Sequence, residues 1–212
     1  MSPLISFILL CSAALFEQPE PRTVLRAEMV LLFQNPDGGW PKNVGWNSFE
    51  TLSDAKEGFK KFPKRKSTID NSATYTQIRE LAAAYTKTNN PDYRDAARRG
   101  LEFILREQRR SGGWRGSDVD AITFNDDAMI GVMRLLKEIT QKQSNFRWVK
   151  PAERERCQQA LARALRVLLD CQIVVDGKKT AWCQQHDHET LKPLEARSYE
   201  LPSISGVESV KI

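Results

Sequence analysis

Residues 67–74 read STIDNSAT and set a carboxylate, Asp70, beside a carboxamide, Asn71, just before a run of helix-favouring residues. Apolar positions recur after this motif at spacings of three and four, which is typical of a helix with one buried face. The helix is predicted over residues 72–87. Asp70 and Asn71 then lie at or beside its N-cap, where such residues usually accept a backbone N–H. Taken alone, the motif favours a structural role.

The motif occurs a second time, and this repetition favours a functional role. Residues 123–129 read TFNDDAM and match residues 68–74 almost position for position, with the acid and the amide exchanged. Asp126 therefore stands where the first copy has Asn71, and a helical run follows again. Residues 203–209, SISGVES, form a fainter third copy.

A second repeat concerns the helices that precede these motifs. A helix ends at a glutamine, a glycine turn follows, and a tryptophan comes six residues after the glutamine in two copies and later in the third. The copies are Gln34 with Trp40, Gln108 with Trp114, and Gln172 with Trp182. Helix pairs that recur about every sixty to seventy residues stack as helical hairpins. The pattern predicts an all-α fold, an α/α toroid built from repeated helical hairpins with long irregular loops.

A toroid brings the turns before its inner helices toward one axis. We therefore expect Asp70, Asn71 and Asp126 to meet although they lie far apart in sequence. The remaining helices are predicted at residues 23–34, 49–59, 91–108 and 151–172, and the second of these interrupts a long loop over residues 41–66. A third inner helix has only begun at Ile212, so the chain is expected to be shortened at its C-terminus.

Length and composition allow one globular domain. The chain has 212 residues, of which 41% are hydrophobic, which is enough for a sizeable core. The net charge of +5 and the pI near 9.1 admit nucleic acid, anionic polysaccharide or acidic membrane as partners without choosing among them. Basic runs such as residues 64–66 lack the interleaved aromatic residues of a base-stacking platform. They are interpreted as solvated loop, and nucleic acid is not expected to bind.

The N-terminus carries an apolar run, residues 4–16, that is too short to span a bilayer. It resembles the core of a secretory signal, although no Lys or Arg precedes it. We predict a signal peptide or a disordered apolar segment at residues 1–16 and one domain at residues 17–212. The mature protein is expected to be a secreted or periplasmic monomer without membrane attachment.

The cysteines leave two alternatives open. Cys11 would leave with a signal peptide, and Cys157, Cys171 and Cys183 remain. Cys171 and Cys183 could pair in an exported protein, whereas three buried thiols account equally for the same residues. Their spacing does not match a zinc site.

Five motifs, taken together and in order, resemble the family 10 pectate lyases. They are GGWPKN (38–43), TIDNSAT (68–74), ITFNDDAM (122–129), WCQQHD (182–187) and ARSYELPS (196–203). The resemblance covers roughly residue 23 to the end of the chain. It implies an α/α toroid-like fold and calcium-assisted β-elimination on polygalacturonate or pectin, with 4,5-unsaturated oligogalacturonides as products.

The resemblance also implies the roles of individual residues. Asn71 and Asp126 would bind the catalytic Ca²⁺, with Asp70 beside them as a further acidic ligand; oxygen donors of this kind suit calcium. Arg197 matches the family's base, so Arg197 and Asp70 are the predicted catalytic residues. Because the reference pKa of arginine lies above about 12, only a small deprotonated fraction could act, and an alkaline optimum is expected.

Three further side chains are candidate contacts of the substrate: Lys42, Arg115 and His186. Each also has a structural interpretation. A histidine beside Asp187 commonly holds a loop. Likewise, without the family match Arg197 would be interpreted as the partner of Glu195 or Glu200 in a salt bridge.

Two departures from the family pattern support alternatives. The segment after Trp114, residues 115–120, is short and lacks the family's aromatic residues, and the family's later helices and basic residues are missing. An inactive fragment that binds anionic glycan is therefore one alternative. A second is a QW-repeat enzyme related to triterpene cyclases, for which residues 118–121 lack the last acid of an Asp-x-Asp-Asp motif.

Overall fold

Residues 21–212 are described by a computed structural model, and their regular structure is mostly helical. The helices are α1 (Pro21–Leu32), α2 (Leu52–Lys61), α3 (Tyr75–Thr88), α4 (Pro91–Glu107), α5 (Ala128–Thr140), α6 (Pro151–Asp170) and α7 (Gly206–Lys211). The strands are β1 (Ile122–Thr123), β2 (Val174–Val175), β3 (Lys178–Lys179) and β4 (Gln185–His186). The all-α prediction is confirmed. The signal peptide predicted at residues 1–16 lies outside the described residues.

The longer helices pair as hairpins. Helix α3 packs mainly on α4, and α5 packs on α6. The link from α3 to α4 is tight because Asn89 ends α3 in the left-handed conformation, with φ 55°. Asn90 then caps α4 by accepting a hydrogen bond from Asp92 N at 3.0 Å, and Pro91 occupies the first turn. Both α1 and α5 also pack on α3, so the hairpins stack side by side. Their closure into a toroid stays a prediction.

A half-buried glutamine joins each outer helix to the next. Gln34 Nε2 donates to Gly38 O at 2.8 Å and to Ala96 O of α4 at 2.9 Å, while its Oε1 accepts from Arg99. Gln108 makes the same set of contacts one hairpin later. Its partners are Gly112, Ala160 and Arg163. The repeat found in the sequence is therefore also a repeat of contacts.

Each of these turns requires a glycine. Gly38 and Gly112 have φ of 95° and 101°, which side chains rarely adopt. A Cβ would lie 2.4 Å from Arg99 O at Gly38 and 2.6 Å from Arg163 O at Gly112. The missing side chain therefore lets the turn approach the backbone of the neighbouring outer helix.

The tryptophan of each turn holds the Asp/Asn motif in place. The buried Trp40 donates from its indole nitrogen to Val30 O at 2.7 Å, and its carbonyl accepts from Thr68 N at 3.0 Å. The corresponding residues in the second copy are Trp114, Ile104 and Thr123. The turn thus connects the end of an outer helix directly to the start of the motif.

The fainter third copy keeps part of this arrangement. Trp182 donates from its indole nitrogen to Leu168 O at 2.7 Å. Its backbone N–H donates to Ser209 Oγ at 3.1 Å, as that of Trp40 does to Thr74 Oγ1 at 3.0 Å. Ser209 therefore occupies the place of Thr74 in the third copy.

Helix α3 begins at Tyr75, three residues later than predicted. Asn71, Ser72 and Thr74 have φ of 48°, 62° and 64°, and a right-handed helix cannot include them. Asp70 and Asn71 lie in a separate 3-10 turn, Asp70–Ser72. The N-cap interpretation of these two residues is therefore wrong.

The short strand pair β1 and β4 joins the second motif to the third turn. Ile122 lies opposite His186, and Thr123 opposite Gln185, in antiparallel register. Gln184 O also accepts from Phe124 N at 2.9 Å and from Asn125 N at 3.2 Å. This pairing fixes the position of residues 182–187 against the second motif.

The cysteines Cys157, Cys171 and Cys183 are free and buried, so the disulfide alternative is wrong and the buried-thiol interpretation is confirmed. Burial raises the pKa of Cys157 and of Cys171 to about 12, which keeps both thiols protonated. Among the helices of residues 21–212, none combines the length and apolar character needed to cross a membrane.

Candidate active site

Asp70 lies at the floor of the site and is almost fully buried. Its carboxylate accepts hydrogen bonds from Lys42 Nζ at 2.7 Å, from Ser117 Oγ and from Asn71 N at 3.0 Å. Burial alone would raise the pKa of Asp70, but the hydrogen bonds from Lys42 and Ser117 outweigh it and lower the pKa below its usual value. Asp70 is therefore an anion at neutral pH.

The two motifs have the same local geometry. In the first, Asp70 Oδ1 accepts from Asn71 N at 3.0 Å; in the second, Asn125 Oδ1 accepts from Asp126 N at 3.0 Å. We call Asp70 with Asn71, and Asn125 with Asp126, the Asx pairs. The 3-10 turns that contain them pack against each other. As expected, the fold therefore brings Asp70, Asn71 and Asp126 to the same place.

The charge of Asp70 acts on Asp126. Burial raises the pKa of Asp126, and the negative charge of Asp70 raises it further. Two carboxylates that repel one another across a small gap are the arrangement that a divalent cation relieves. Arg197 and Lys42 lower the pKa of Asp126, but burial and the neighbouring acids outweigh them, so the pKa stays raised.

The oxygen donors around this gap fit calcium. Asn71 donates from Nδ2 to Asn43 Oδ1 at 3.0 Å, which leaves its Oδ1 available. Within residues 21–212, no three His, Cys, Asp or Glu side chains gather as a ready-made metal cluster. A calcium ion here would therefore depend on two carboxylates, the Asn71 amide and oxygens from water or substrate, all of which are hard ligands.

The backbone of the site is strained. Thr74 is fully buried and has φ 64° and ψ −59°, a conformation that costs about 1–3 kcal/mol. It is held there because its hydroxyl accepts from Trp40 N and donates to Thr68 O at 2.7 Å. Asp126 and Asp127 of the second motif also have positive φ. Strained backbone that is held by the surrounding packing is common at active sites.

Asp118 bridges two cations at the mouth of the site. Its carboxylate lies 3.5 Å from Lys42 Nζ, 3.9 Å from an Arg197 nitrogen and 2.9 Å from Ser117 Oγ. All three contacts come from loops rather than helices. The carboxylate therefore occupies a place between two groups that would both attract a uronate.

Arg197 is paired with Glu200, a buried residue that also accepts from Asn125 Nδ2 at 3.0 Å. The hydrogen bond to Glu200 raises the pKa of Arg197 above its usual value. The guanidinium also lies 4.9 Å from the ring centre of Tyr199. The salt bridge foreseen for Arg197 is thus present, with Glu200 and not Glu195, and it joins Arg197 to the second Asx pair.

A groove of about 530 Å³ opens beside Asp70. Lys42 and Arg115, two predicted substrate contacts, both line it. The side chain of Arg115 is partly exposed and lies 4.0 Å from the Asp120 carboxylate. Because Lys42 and Ser117 both contact Asp70 and line the groove, the groove adjoins the floor of the site.

His186, the third predicted substrate contact, does not reach the site surface. It is fully buried, its Nε2 accepts from Cys183 N at 3.0 Å, and its Nδ1 lies 2.9 Å from Leu191 O. Burial lowers the pKa of His186, so the ring is neutral. These contacts support the interpretation that His186 holds a loop. A fully buried ring cannot contact the substrate, so the prediction that it does is wrong.

Two residues at the site, Ser117 and Asp118, are not among the predicted site residues. Ser117 and Asp118 contact Asp70 and Lys42 from the 115–121 loop, which the sequence marks only as a short departure from the family pattern. A Ser-Asp dipeptide in an exposed turn is too common to indicate a site.

The family model for pectic acid lyases matches residues 34–212. The chain belongs to this family. Because the matched residues include the Gln-Gly-Trp repeat, the triterpene-cyclase alternative is wrong. No curated protein sequence matches the chain.

Two solved lyase structures extend this result. A family 10 polysaccharide lyase from Cellvibrio cellulosa is 34% identical with a TM-score of 0.78, and the match covers 88% of this chain and 58% of that one. A mutant of the same lyase in complex with trigalacturonic acid is 32% identical with a TM-score of 0.79, covering 92% and 60%. The chain therefore spans about three fifths of the length of these lyases.

Proposed function

We propose that this chain is a pectate lyase that cleaves α-1,4-linked polygalacturonate by calcium-assisted β-elimination. The observation that carries the proposal is the meeting of the two Asx pairs beside Lys42 and Arg197. Family membership and the trigalacturonate complex of a similar lyase support the same substrate class. The products would be 4,5-unsaturated oligogalacturonides.

The reaction needs a base and a stabilised carbanion. A base removes the proton from C5, the carbon next to the uronate carboxylate, and the electron pair forms a double bond between C4 and C5. The bond from C4 to the glycosidic oxygen breaks, and this oxygen leaves with its electrons and takes up a proton. The barrier falls when the uronate charge is neutralised, because the C5 proton then becomes more acidic.

Asp70, Asn71 and Asp126 would hold the calcium ion. When bound, calcium would neutralise the uronate carboxylate and so favour loss of the neighbouring proton. Lys42 already neutralises Asp70 and would orient a second oxygen of the uronate. Ser117 keeps Asp70 ionised and fixed in direction through its hydrogen bond.

We propose Arg197 as the group that accepts the C5 proton. While it is paired with Glu200 its pKa is raised, so the pair must open, or the substrate must take the place of Glu200, before the guanidinium acts as a base. Only a small fraction of an arginine is deprotonated even at alkaline pH. The rate is therefore expected to increase with pH over the alkaline range.

The wider setting follows from the family. We propose that the protein acts outside the cell or in the periplasm, as a monomer, on polygalacturonate or pectin. Nucleic acid and membrane are not among the proposed partners.

A second candidate is an inactive fragment that binds anionic glycan. It is favoured by one observation: both cations at the site, Lys42 and Arg197, already have carboxylate partners. Binding of oligogalacturonate without turnover would support it.

Ultraviolet absorbance of the unsaturated product separates the two candidates. Purified protein is mixed with polygalacturonate at alkaline pH, first with calcium and then with a chelator. Absorbance that rises with calcium, stops with the chelator and is lost in Arg197→Ala supports the lyase. No absorbance from protein that is folded and binds calcium overturns catalysis by this chain.

A further inference from the structure

Asn43, the last residue of the GGWPKN motif (38–43), is the hydrogen-bond partner of the Asn71 amide. Its Oδ1 accepts from Asn71 Nδ2 at 3.0 Å, although the two residues are 28 positions apart and both are exposed. A contact of this kind loses side-chain entropy and persists when the backbone already holds both partners in place.

The backbone on both sides of Asn43 is anchored. Lys42 Nζ donates to Asp70 Oδ2 at 2.7 Å, and the side chain of Val44 is buried in the core. Asn43 itself has φ 60°, a left-handed conformation that Asn adopts more readily than most residues. The position of the Asn43 side chain is therefore set by its neighbours before Asn71 binds it.

Asn43 and Ser117 occupy the same place in two successive repeats. Each follows the tryptophan of its Gln-Gly-Trp turn by three residues. Ser117 Oγ donates to the carboxylate of Asp70. Asn43 accepts from Asn71, the other member of the first Asx pair. One residue from each turn thus holds one member of this pair.

The direction of the Asn71 amide decides whether it can bind a cation. Its oxygen and its nitrogen lie on opposite sides of one carbon, and only the oxygen is a ligand for calcium. The hydrogen bond to Asn43 fixes the nitrogen and so turns Oδ1 away from Asn43. Without this bond the exposed amide is free to rotate and to present its N–H groups, which repel a cation.

We propose that Asn43 is a positioning residue for calcium, which orients the amide of Asn71 so that Oδ1 faces the ion. The inference rests on the proposed function, in which Asn71 is a ligand, and Asn43 acts only through Asn71. The second Asx pair has a different support, since Asn125 Nδ2 donates to Glu200 Oε1 at 3.0 Å. Each pair is therefore held by a side chain from another loop.

The test compares two glycine variants that remove the same side chain from the same backbone conformation. Asn43→Gly removes the acceptor for Asn71, and glycine adopts a φ of 60° without strain. Asn89→Gly is the matched control, because Asn89 is also exposed, has φ 55° and lies at the opposite end of α3 from the first Asx pair. Asn43→Asp is the conservative variant, since a carboxylate still accepts from Asn71 Nδ2.

Calcium alone is titrated into each free protein and its dissociation constant is measured by calorimetry. We expect Asn43→Gly to bind calcium about five- to tenfold more weakly, and Asn89→Gly to stay within about twofold of the wild type. Asn43→Asp should bind at least as tightly as the wild type. The urea midpoint without calcium should stay within about 0.5 M in all three variants, which separates orientation of the ligand from stability. In the lyase assay, Asn43→Gly should need more calcium for half-maximal rate and keep its kcat at saturating calcium.

Equal calcium affinity in Asn43→Gly and the wild type overturns the proposal. An equal loss in both glycine variants does so too, as does binding by Asn43→Asp that is as weak as binding by Asn43→Gly. Failure of the proposed function has a different signature: the wild type binds calcium and the two glycine variants differ, but no unsaturated product forms. A wild type that binds no calcium overturns both the positioning role and the calcium-assisted reaction.

Discussion

Asn71 and Asp126 adopt nearly the same left-handed backbone conformation, with φ and ψ of 48° and 46° for Asn71 and 52° and 35° for Asp126. Each donates its backbone N–H to the side chain of the residue before it. The two turns then pack together, so one local geometry delivers both an amide and a carboxylate to the site.

Replacing Asn71 by glycine should separate catalysis from stability. Glycine adopts a φ of 48° without strain, so we expect the free energy of unfolding to stay equal or to rise by up to about 1 kcal/mol. The amide oxygen is lost, and activity at limiting calcium should fall at least about tenfold. Urea unfolding and product absorbance measure the two effects. Full activity at low calcium would contradict a ligand role for Asn71.

Replacing Lys42 by methionine should destabilise the fold in a pH-dependent way. The folded pKa of Asp70 is lowered, since hydrogen bonds from Lys42 and Ser117 outweigh burial, so its contribution is present above the unfolded pKa near 3.8 and is lost as pH falls through the folded value. We expect a loss of about 1–2 kcal/mol at pH 7 that shrinks below pH 4. Urea unfolding between pH 3 and pH 7 measures this.

The control for that prediction is Lys60→Met. Lys60 pairs with Glu57 at 2.7 Å, but both side chains are exposed. The change should stay within about 0.5 kcal/mol at any pH in the range. A loss in Lys42→Met that is constant with pH would show that Asp70 does not depend on the Lys42 ammonium.

Replacing Asp118 by asparagine should improve binding of oligogalacturonate. The Asp118 carboxylate lies between Lys42 and Arg197 and competes with the uronate for both. Removing its charge frees the cations, and we expect the dissociation constant to fall about two- to fivefold. Calorimetry in a chelator measures it. Weaker binding would instead make Asp118 part of the ligand site.

Replacing Glu200 by glutamine should shift the pH profile of the reaction. Glu200 raises the pKa of Arg197, so its neutral substitute lowers that pKa and increases the deprotonated fraction at a given pH. The alkaline rise in kcat should move to lower pH. Glutamine can still accept the hydrogen bond from Asn125, which keeps the second Asx pair in place. An unchanged profile would rule out Arg197 as the base.

Replacing Gly112 by alanine should destabilise the repeat. The new Cβ would meet Arg163 O at 2.6 Å in a backbone with φ 101°, and we expect a loss of about 2–4 kcal/mol. Gly177→Ala is the matched control: its φ is 74°, but nothing lies within 4 Å of the added Cβ, so the loss should be about 1 kcal/mol. Thermal unfolding compares the two. Equal losses would mean that the close contact with α6 is unimportant.

The meeting of Asp70, Asn71 and Asp126 is predictable because it depends on a repeat. Gln34 and Gln108 each precede a tryptophan by six residues in the sequence. Each makes the same contact with the glycine turn that leads to its motif. The late start of α3 is not predictable in this way. It depends on a strained Thr74 that is held by a hydrogen bond from the backbone of Trp40, far away in sequence.

The rest of the site depends on how loops meet. Ser117 and Asp118 reach Asp70 and Lys42 from the 115–121 loop, which has no periodicity to interpret. His186 has the residue type of a base, but only the fold reveals that both its ring nitrogens face backbone groups. Residue type and spacing therefore predicted that Asp70, Asn71 and Asp126 come together, and missed the groups that surround them.

The hydrogen bond from Thr68 N to Trp40 O, and its counterpart from Thr123 N to Trp114 O, have an evolutionary consequence. Each unit carries the means of positioning its own motif, so duplicating the gene segment also duplicates the placement of the motif. The acid and the amide are then free to differ between the copies, as Asp70–Asn71 and Asn125–Asp126 do, while the placement of each motif stays the same.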